Sequence, residues 1–254
     1  MLFRSVVMLH GFGATRFTWR DVAPDLARTH QVHLLDLLGC GESPKPGNGD
    51  YSPAGQAQLV DAYVARLGLP DVTLIGHSFG GAVALLTALR LLPLQRIRRL
   101  VLLDAPLYPQ PLPFFIHALQ SPIGPLATRL LPTRYQVRHV LRRTYHHTVS
   151  IDPAVVATYA ASLEQPGARH ALVATARTLV LDDAAAAVEQ VRRLTVPTLL
   201  VWGRHDRIVP ISTGERLSRE LPDARFVVIE TSGHAPQEER PAETIEILRA
   251  FLDR

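Results

Sequence analysis

The chain has 254 residues, 47% hydrophobic and 20% charged, the proportions of an ordinary globular protein, which exclude a disordered or collagen-like chain. The formal charge is +4 and Lys45 is the only lysine. The basic excess is therefore carried by arginine, without the basic runs interleaved with aromatics that a nucleic-acid-binding face would show. One cysteine, Cys40, excludes an intrachain disulfide and a thiolate zinc site.

The N-terminus lacks the charged start and small-residue cleavage site of a signal peptide. No apolar stretch approaches the length of a membrane span. A cytoplasmic protein with no integral membrane segment is expected, in one large domain or a core with an inserted subdomain.

In chain order, Phe3 to Leu9 reads as a buried strand running into His10-Gly-Phe-Gly13. Trp19 to Arg28 has the pattern of an amphipathic helix, and Gln31 to Leu35 that of a second strand ending at Asp36. Gly39 to Gly55 is rich in Gly, Pro and Ser and reads as loop. Ser52-Pro53 then opens a helix to about Leu67, Ser as cap and Pro in the first turn. Val72 to Ile75 is a strand buried on both faces, Gly80 to Leu92 a helix of small and apolar residues, and Ile97 to Leu103 another strand. Thr198 to Gly203 and Phe226 to Ile229 are further strands, with a helix near Ser212 to Leu221 between them and a closing helix from Pro236 to Leu252. This alternation predicts an α/β fold: a mostly parallel central sheet with helices on both faces.

Residues 106–194 break the rhythm. They open with a proline-rich apolar piece, Pro106 to Ile116, and continue as helical patterns without a strand. A helical insert leaving a strand's C-terminal end would sit over the crevice where open α/β sheets bind ligands. The expected organisation is a core of residues 1–105 and 195–254 with a helical cap of residues 106–194.

Between the strand at Val72 and its helix lies Gly76-His77-Ser78-Phe79-Gly80, the G-x-S-x-G nucleophile elbow. Ser78 would occupy a sharp strand-to-helix turn, with glycines letting the chain pass close to itself and the Phe79 N–H available to a developing oxyanion. A serine nucleophile needs a base and an acid that orients it. His234 and Asp206 follow strand ends on the same sheet edge, in the chain order Ser, Asp, His. Asp104, at the end of the Ile97 strand, is the competing acid. Asp36 reads as a brace for the Gly39-Cys40-Gly41 turn, and His10 as a structural histidine. The backbone N–H of Phe12 is the candidate second oxyanion donor. No metal site is expected.

These motifs, together with Asp36-Leu-Leu-Gly-Cys-Gly-Glu-Ser43, Trp202-Gly-Arg-His-Asp206 and Gly233-His234, resemble the α/β-hydrolase superfamily over nearly the whole length, in particular its capped serine esterases and meta-cleavage-type C–C hydrolases. The resemblance implies Ser78 as nucleophile, His234 as base and Asp206 as acid, with the Phe12 and Phe79 amides as oxyanion hole and no cofactor. Ser78 argues against the dehalogenases and epoxide hydrolases of that fold, which carry aspartate at the elbow. That family commonly has two antiparallel strands before the His-Gly loop, whereas nine residues precede His10. This implies a reduced sheet or absent residues, and an open edge that a homodimer would cover.

Between Leu107 and Ile151 there is no acidic residue, yet Arg129, Arg134, Arg138, Arg142 and Arg143 are present. Arg134, Arg138 and Arg142 form one helical stripe, read as a solvated face or, more sharply, as a site for a substrate carboxylate in which Arg138 reaches the pocket, or as attraction to anionic lipid surfaces. Phe114 and Phe115 are expected to line that pocket. The expected function is hydrolysis of a small-molecule carboxylic ester with an apolar acyl group through an acyl-enzyme. The alternatives are a C–C hydrolase of meta-cleavage dienoates and a signal-binding protein that keeps the triad with little turnover.

Overall fold

Six strands, β1 (Arg4–Leu9), β2 (His30–Leu35), β3 (Val72–His77), β4 (Ile97–Leu103), β5 (Thr198–Gly203) and β6 (Ala224–Ile229), form one sheet in the order β2-β1-β3-β4-β5-β6. Every pairing is parallel, so the described sheet is wholly rather than mostly parallel. The structure is a computed structural model describing residues 4–69, 71–122, 124, 126, 130–146, 151–179 and 189–253.

The near-continuous apolar runs of the strands follow from burial on both faces. Alternate side chains point to opposite sides. Val7, Leu9, Leu74, Leu102 and Trp202 therefore join one core with the helices Pro53–Arg66 and Phe79–Leu91. Val6, Met8, Ile75, Val101 and Val201 join a second core with Trp19, Leu248 and Phe251. Each such aliphatic side chain, fully buried, contributes about 1.5–3 kcal/mol.

Two helices differ from the sequence expectation, each because of a proline. Trp19 to Arg28 is not one helix but a 3-10 turn, Arg16–Trp19, and a single helical turn, Ala23–Leu26. Pro24 lacks an N–H and starts the second piece afresh. The closing helix is likewise split into Pro236–Glu239 and Pro241–Leu252. Pro241 disfavours helical geometry in the residue before it, and Arg240 has φ −137° and ψ 57°.

Between β4 and β5 the described elements are the helices Phe114–Gln120, Thr133–Thr144, Pro153–Glu164 and Ala168–Arg177. Val137, Leu141, Val156 and Tyr159 give Thr133–Thr144 and Pro153–Glu164 a small core of their own. On Thr133–Thr144, Arg134, Arg138 and Arg142 are exposed opposite buried Val137 and Leu141; Arg129 lies outside the described residues. Among the described residues no helix is long and apolar enough to cross a membrane.

The tightest point of the fold is the passage from β3 into the helix Phe79–Leu91. Ser78 has φ 51° and ψ −122°, a conformation that side chains other than glycine rarely adopt. A Cβ at Gly76 would strike the Gly80 carbonyl oxygen, and one at Gly80 would strike the His10 carbonyl oxygen. Gly76→Ala should therefore destabilise the protein by about 3 kcal/mol in a urea melt. Gly47→Ala, at a position with nothing within 4 Å of the new carbon, should stay within about 0.5 kcal/mol of the parent.

Candidate active site

Parallel strands deliver their C-terminal ends to one edge of the sheet, where β3, β5 and β6 lead into Ser78, Asp206 and His234. There the Ser78 hydroxyl donates to His234 Nε2 at 2.8 Å, and His234 Nδ1–H donates to Asp206 Oδ2 at 2.7 Å. The other Asp206 oxygen accepts the Ile208 and Val209 N–H groups at 2.7 and 3.0 Å, so the carboxylate is fixed from both sides. This line can move a proton from Ser78 to an imidazole whose tautomer Asp206 sets.

The backbone around it is equally constrained. The helix Phe79–Leu91 begins directly after Ser78, and the first N–H groups of a helix have no partner within it. Phe12 and Phe79 both lie beside Ser78 and His234 on the cavity wall. His10 is buried, with Nδ1–H donating to the Gly11 carbonyl at 2.8 Å and Nε2 accepting the Leu37 N–H at 3.0 Å. Burial lowers its pKa, which keeps the ring neutral and the loop at Gly11 in place. Asp36 braces its turn, accepting the Glu42 N–H at 3.0 Å.

Three contributors escaped the sequence reading. His77, inside the elbow, donates Nε2–H to the His234 carbonyl at 2.6 Å. Burial, and then the neighbouring His234, drive its pKa down to about 3. Glu239 accepts the Gly233 N–H at 3.0 Å and the Ala235 N–H at 3.2 Å, clamping the loop on both sides of His234. Glu238 lines the cavity and accepts from Arg20 at 2.6 Å, Thr18 at 2.8 Å and Tyr159 at 3.0 Å. Burial, then the Glu238 charge, hold the Tyr159 phenol well above its usual range, so it remains a donor. The only signal in the sequence was the acidic pair placed just after His234.

Asp104, the competing acid, lies behind the line rather than in it. It is fully buried with φ 47°, and one oxygen accepts the Gly203 N–H at 3.0 Å. Asp104, Asp206 and His234 have ligand-type atoms within 4.8 Å of one another. Two hydrogen bonds already occupy His234, one to Asp206 and one to Ser78, so an ion among the three groups would have to break them. Burial and then the Asp206 charge push the Asp104 carboxyl well above the ordinary 3.8. Its other oxygen, Oδ2, is buried without a hydrogen-bond partner among the described residues, a setting that disfavours the charged carboxylate.

A cavity of about 570 Å³ lies over Ser78, lined by Leu107, Phe115, Val140 and Leu172 among others. Phe114 and Phe115 both line it. Arg138 does not: it is exposed on the outer face of Thr133–Thr144. The i, i+4, i+8 spacing that grouped it with Arg134 and Arg142 also turns all three away from buried Val137 and Leu141.

Because the native state holds Asp104 protonated above its unfolded pKa, it binds more protons than the unfolded chain over that interval. Its share of stability is present below the unfolded pKa and is lost as pH rises toward the folded one. Asp104→Asn should flatten that decline, giving a melting temperature that falls less than in the parent as pH rises above the ordinary Asp value of about 4. Asp104→Ala leaves the Gly203 N–H unpaired and should cost about 1–3 kcal/mol at any pH in the same scan.

A family model described as the alpha/beta hydrolase fold matches residues 4–241. The chain is 30% identical to a 2-hydroxymuconate semialdehyde hydrolase of Pseudomonas putida over 89% of this chain and 78% of the relative. It is 29% identical to a pimeloyl-[acyl-carrier protein] methyl ester esterase of Aeromonas hydrophila over 97% and 94%. The structure superposes on a thermophilic esterase from Thermogutta terrifontis with a TM-score of 0.83 at 24% identity, covering 99% of this chain and 90% of that one. A parallel sheet that brings a strained serine, a histidine and an aspartate to one edge, within a chain that the family model spans almost end to end, makes this protein a member of the α/β hydrolase family.

Proposed function

We propose that the protein is a serine hydrolase of small carboxylic esters with an apolar acyl group. The observation that carries this reading is the hydrogen-bonded line Ser78–His234–Asp206 at the floor of an apolar cavity. Ser78 Oγ attacks the ester carbonyl while His234 Nε2 takes its proton, and the carbonyl oxygen becomes an oxyanion facing the Phe12 and Phe79 N–H groups. Collapse breaks the bond to the alcohol oxygen, which leaves with the proton from His234. Water then attacks the acyl-serine, giving His234 a proton that returns to Ser78 Oγ as the carboxylic acid departs. The nucleophile, base and orienting acid all belong to the protein, and the scheme adds only the ester and a water molecule. In this reading the helices between β4 and β5 form a cap that excludes water from the acyl group.

The second reading, a C–C hydrolase acting on a dienoate, is favoured by the likeness to the 2-hydroxymuconate semialdehyde hydrolase. Against it, the described residues that line the cavity over Ser78 include no Lys or Arg, and their acidic member is Glu238. A dienoate carboxylate would meet a carboxylate there instead of a guanidinium.

The discriminating experiment is turnover of p-nitrophenyl esters from acetate to long acyl chains. Steady hydrolysis with an optimum at medium chains is expected, with kcat falling by about 10⁴-fold or more in Ser78→Ala and in His234→Ala. A stoichiometric burst without steady turnover would favour a signal-binding protein, and cleavage of dienoates alone would favour the second reading.

A further inference from the structure

Beside the catalytic cavity opens a smaller hollow of about 330 Å³, lined by Pro113, His139, Arg142, Arg143, Arg207 and Ile208. Pro113, His139 and Ile208 also line the catalytic cavity, so the two spaces share a wall. Arg142 and Arg143 lie in the last turn of Thr133–Thr144, and Arg207 directly follows Asp206. All three are exposed.

None of these three arginines has a carboxylate within ion-pair distance among the described residues, whereas Arg16, Arg20, Arg90, Arg204 and Arg249 each do. The negative end of the helix dipole accounts for Arg142 and Arg143 at a helix C-terminus. It does not account for Arg207, which arrives from a different element to the same hollow. Three like charges converging without a counterion repel one another, and an anion held between them relieves that repulsion. Guanidinium groups suit phosphate and carboxylate, whose oxygens they engage in pairs.

The position of the hollow says which part of a substrate would carry the anion. The strand order sets β1, with the Phe12 loop, on one side of β3, and β5, with the Asp206–Val209 loop, on the other. An ester on Ser78 turns its carbonyl oxygen toward the Phe12 side. Its alcohol oxygen, which must be protonated by His234, then faces the side where Arg207 and Ile208 stand. We propose that the hollow is an anion subsite for a phosphate or carboxylate borne on the alcohol portion of the ester. The substrate class is accordingly an acyl ester of an anionic alcohol, with the apolar acyl chain in the large cavity. The substrate rests on the ester-hydrolase reading; the site rests on the arginine cluster alone.

The test compares two octanoate esters, of p-nitrophenol and of a carboxylate-bearing nitrophenol, in the parent and in an Arg142→Gln/Arg207→Gln variant of these exposed positions. Calorimetric titration of both proteins with phenyl phosphate accompanies the kinetics. The expected result is a KM for the anionic ester that rises roughly tenfold in the variant, with its kcat and both constants of the neutral ester unchanged. Equal changes for the two esters, or none, would overturn the subsite while leaving the hydrolase intact. Phenyl phosphate binding that is lost in the variant, with neither ester turned over, would uphold the subsite and overturn the hydrolase reading. If phosphatidylglycerol vesicles raise turnover of both esters alike, and the variant loses only that rise, the arginines serve a lipid surface and the proposal fails.

Discussion

Everything at the candidate site depends on one backbone crossing. For Ser78 to stand above the sheet with a helix starting at its heel, β3 must turn within a single residue. That is possible only because Gly76 passes against the Gly80 carbonyl and Gly80 against the His10 carbonyl. The same crossing sets the distance between the elbow and the loop after β1, and so how closely the Phe12 backbone stands to Ser78. The strain at Ser78, with φ 51°, is balanced by burial all round it: β3 has no exposed residue, and Ser78 N–H donates to the Leu103 carbonyl at 2.8 Å. A distorted residue persists where its surroundings over-determine it.

Around that crossing the charges are layered. Ser78 and His234 are hydrogen-bonded in the first layer, and Asp206 holds the imidazole from the second. Asp104 lies beneath Asp206, and burial together with the Asp206 charge raises its pKa, since two adjacent buried carboxylates cannot both ionise cheaply. Glu239 works through the backbone instead, holding the Gly233 and Ala235 N–H groups so that His234 enters the line at a fixed angle.

Much of this was legible in the sequence, for physical reasons. Strands buried on both faces are apolar without alternation, which is why β1, β3, β4 and β5 stand out. The elbow glycines announce a turn no other residue could make. Less legible were features set by a single residue or by distant contact. Pro24 and Pro241 each split an otherwise good helical pattern. Arg138 has the chemistry for an anion but a helical register that points it outward. Arg207 follows Asp206 in a loop, and only the fold brings it to the same hollow as Arg142 and Arg143. The roles of Glu238, Glu239 and His77 are fixed by partners up to 220 positions away in the chain, a separation that no local pattern records.

His10 and His77 are buried as neutral rings, one tying down the first loop and the other gripping the carbonyl of His234. Both have pKa values below the ordinary 6.5, so the unfolded chain takes up protons more readily than the native one as pH falls below that value. Acid therefore shifts the folding balance toward the unfolded chain through these two rings, which anchor the loops on either side of Ser78. A loss of stability that comes from protonating buried rings is undone on neutralisation, as long as the opened chain has not aggregated.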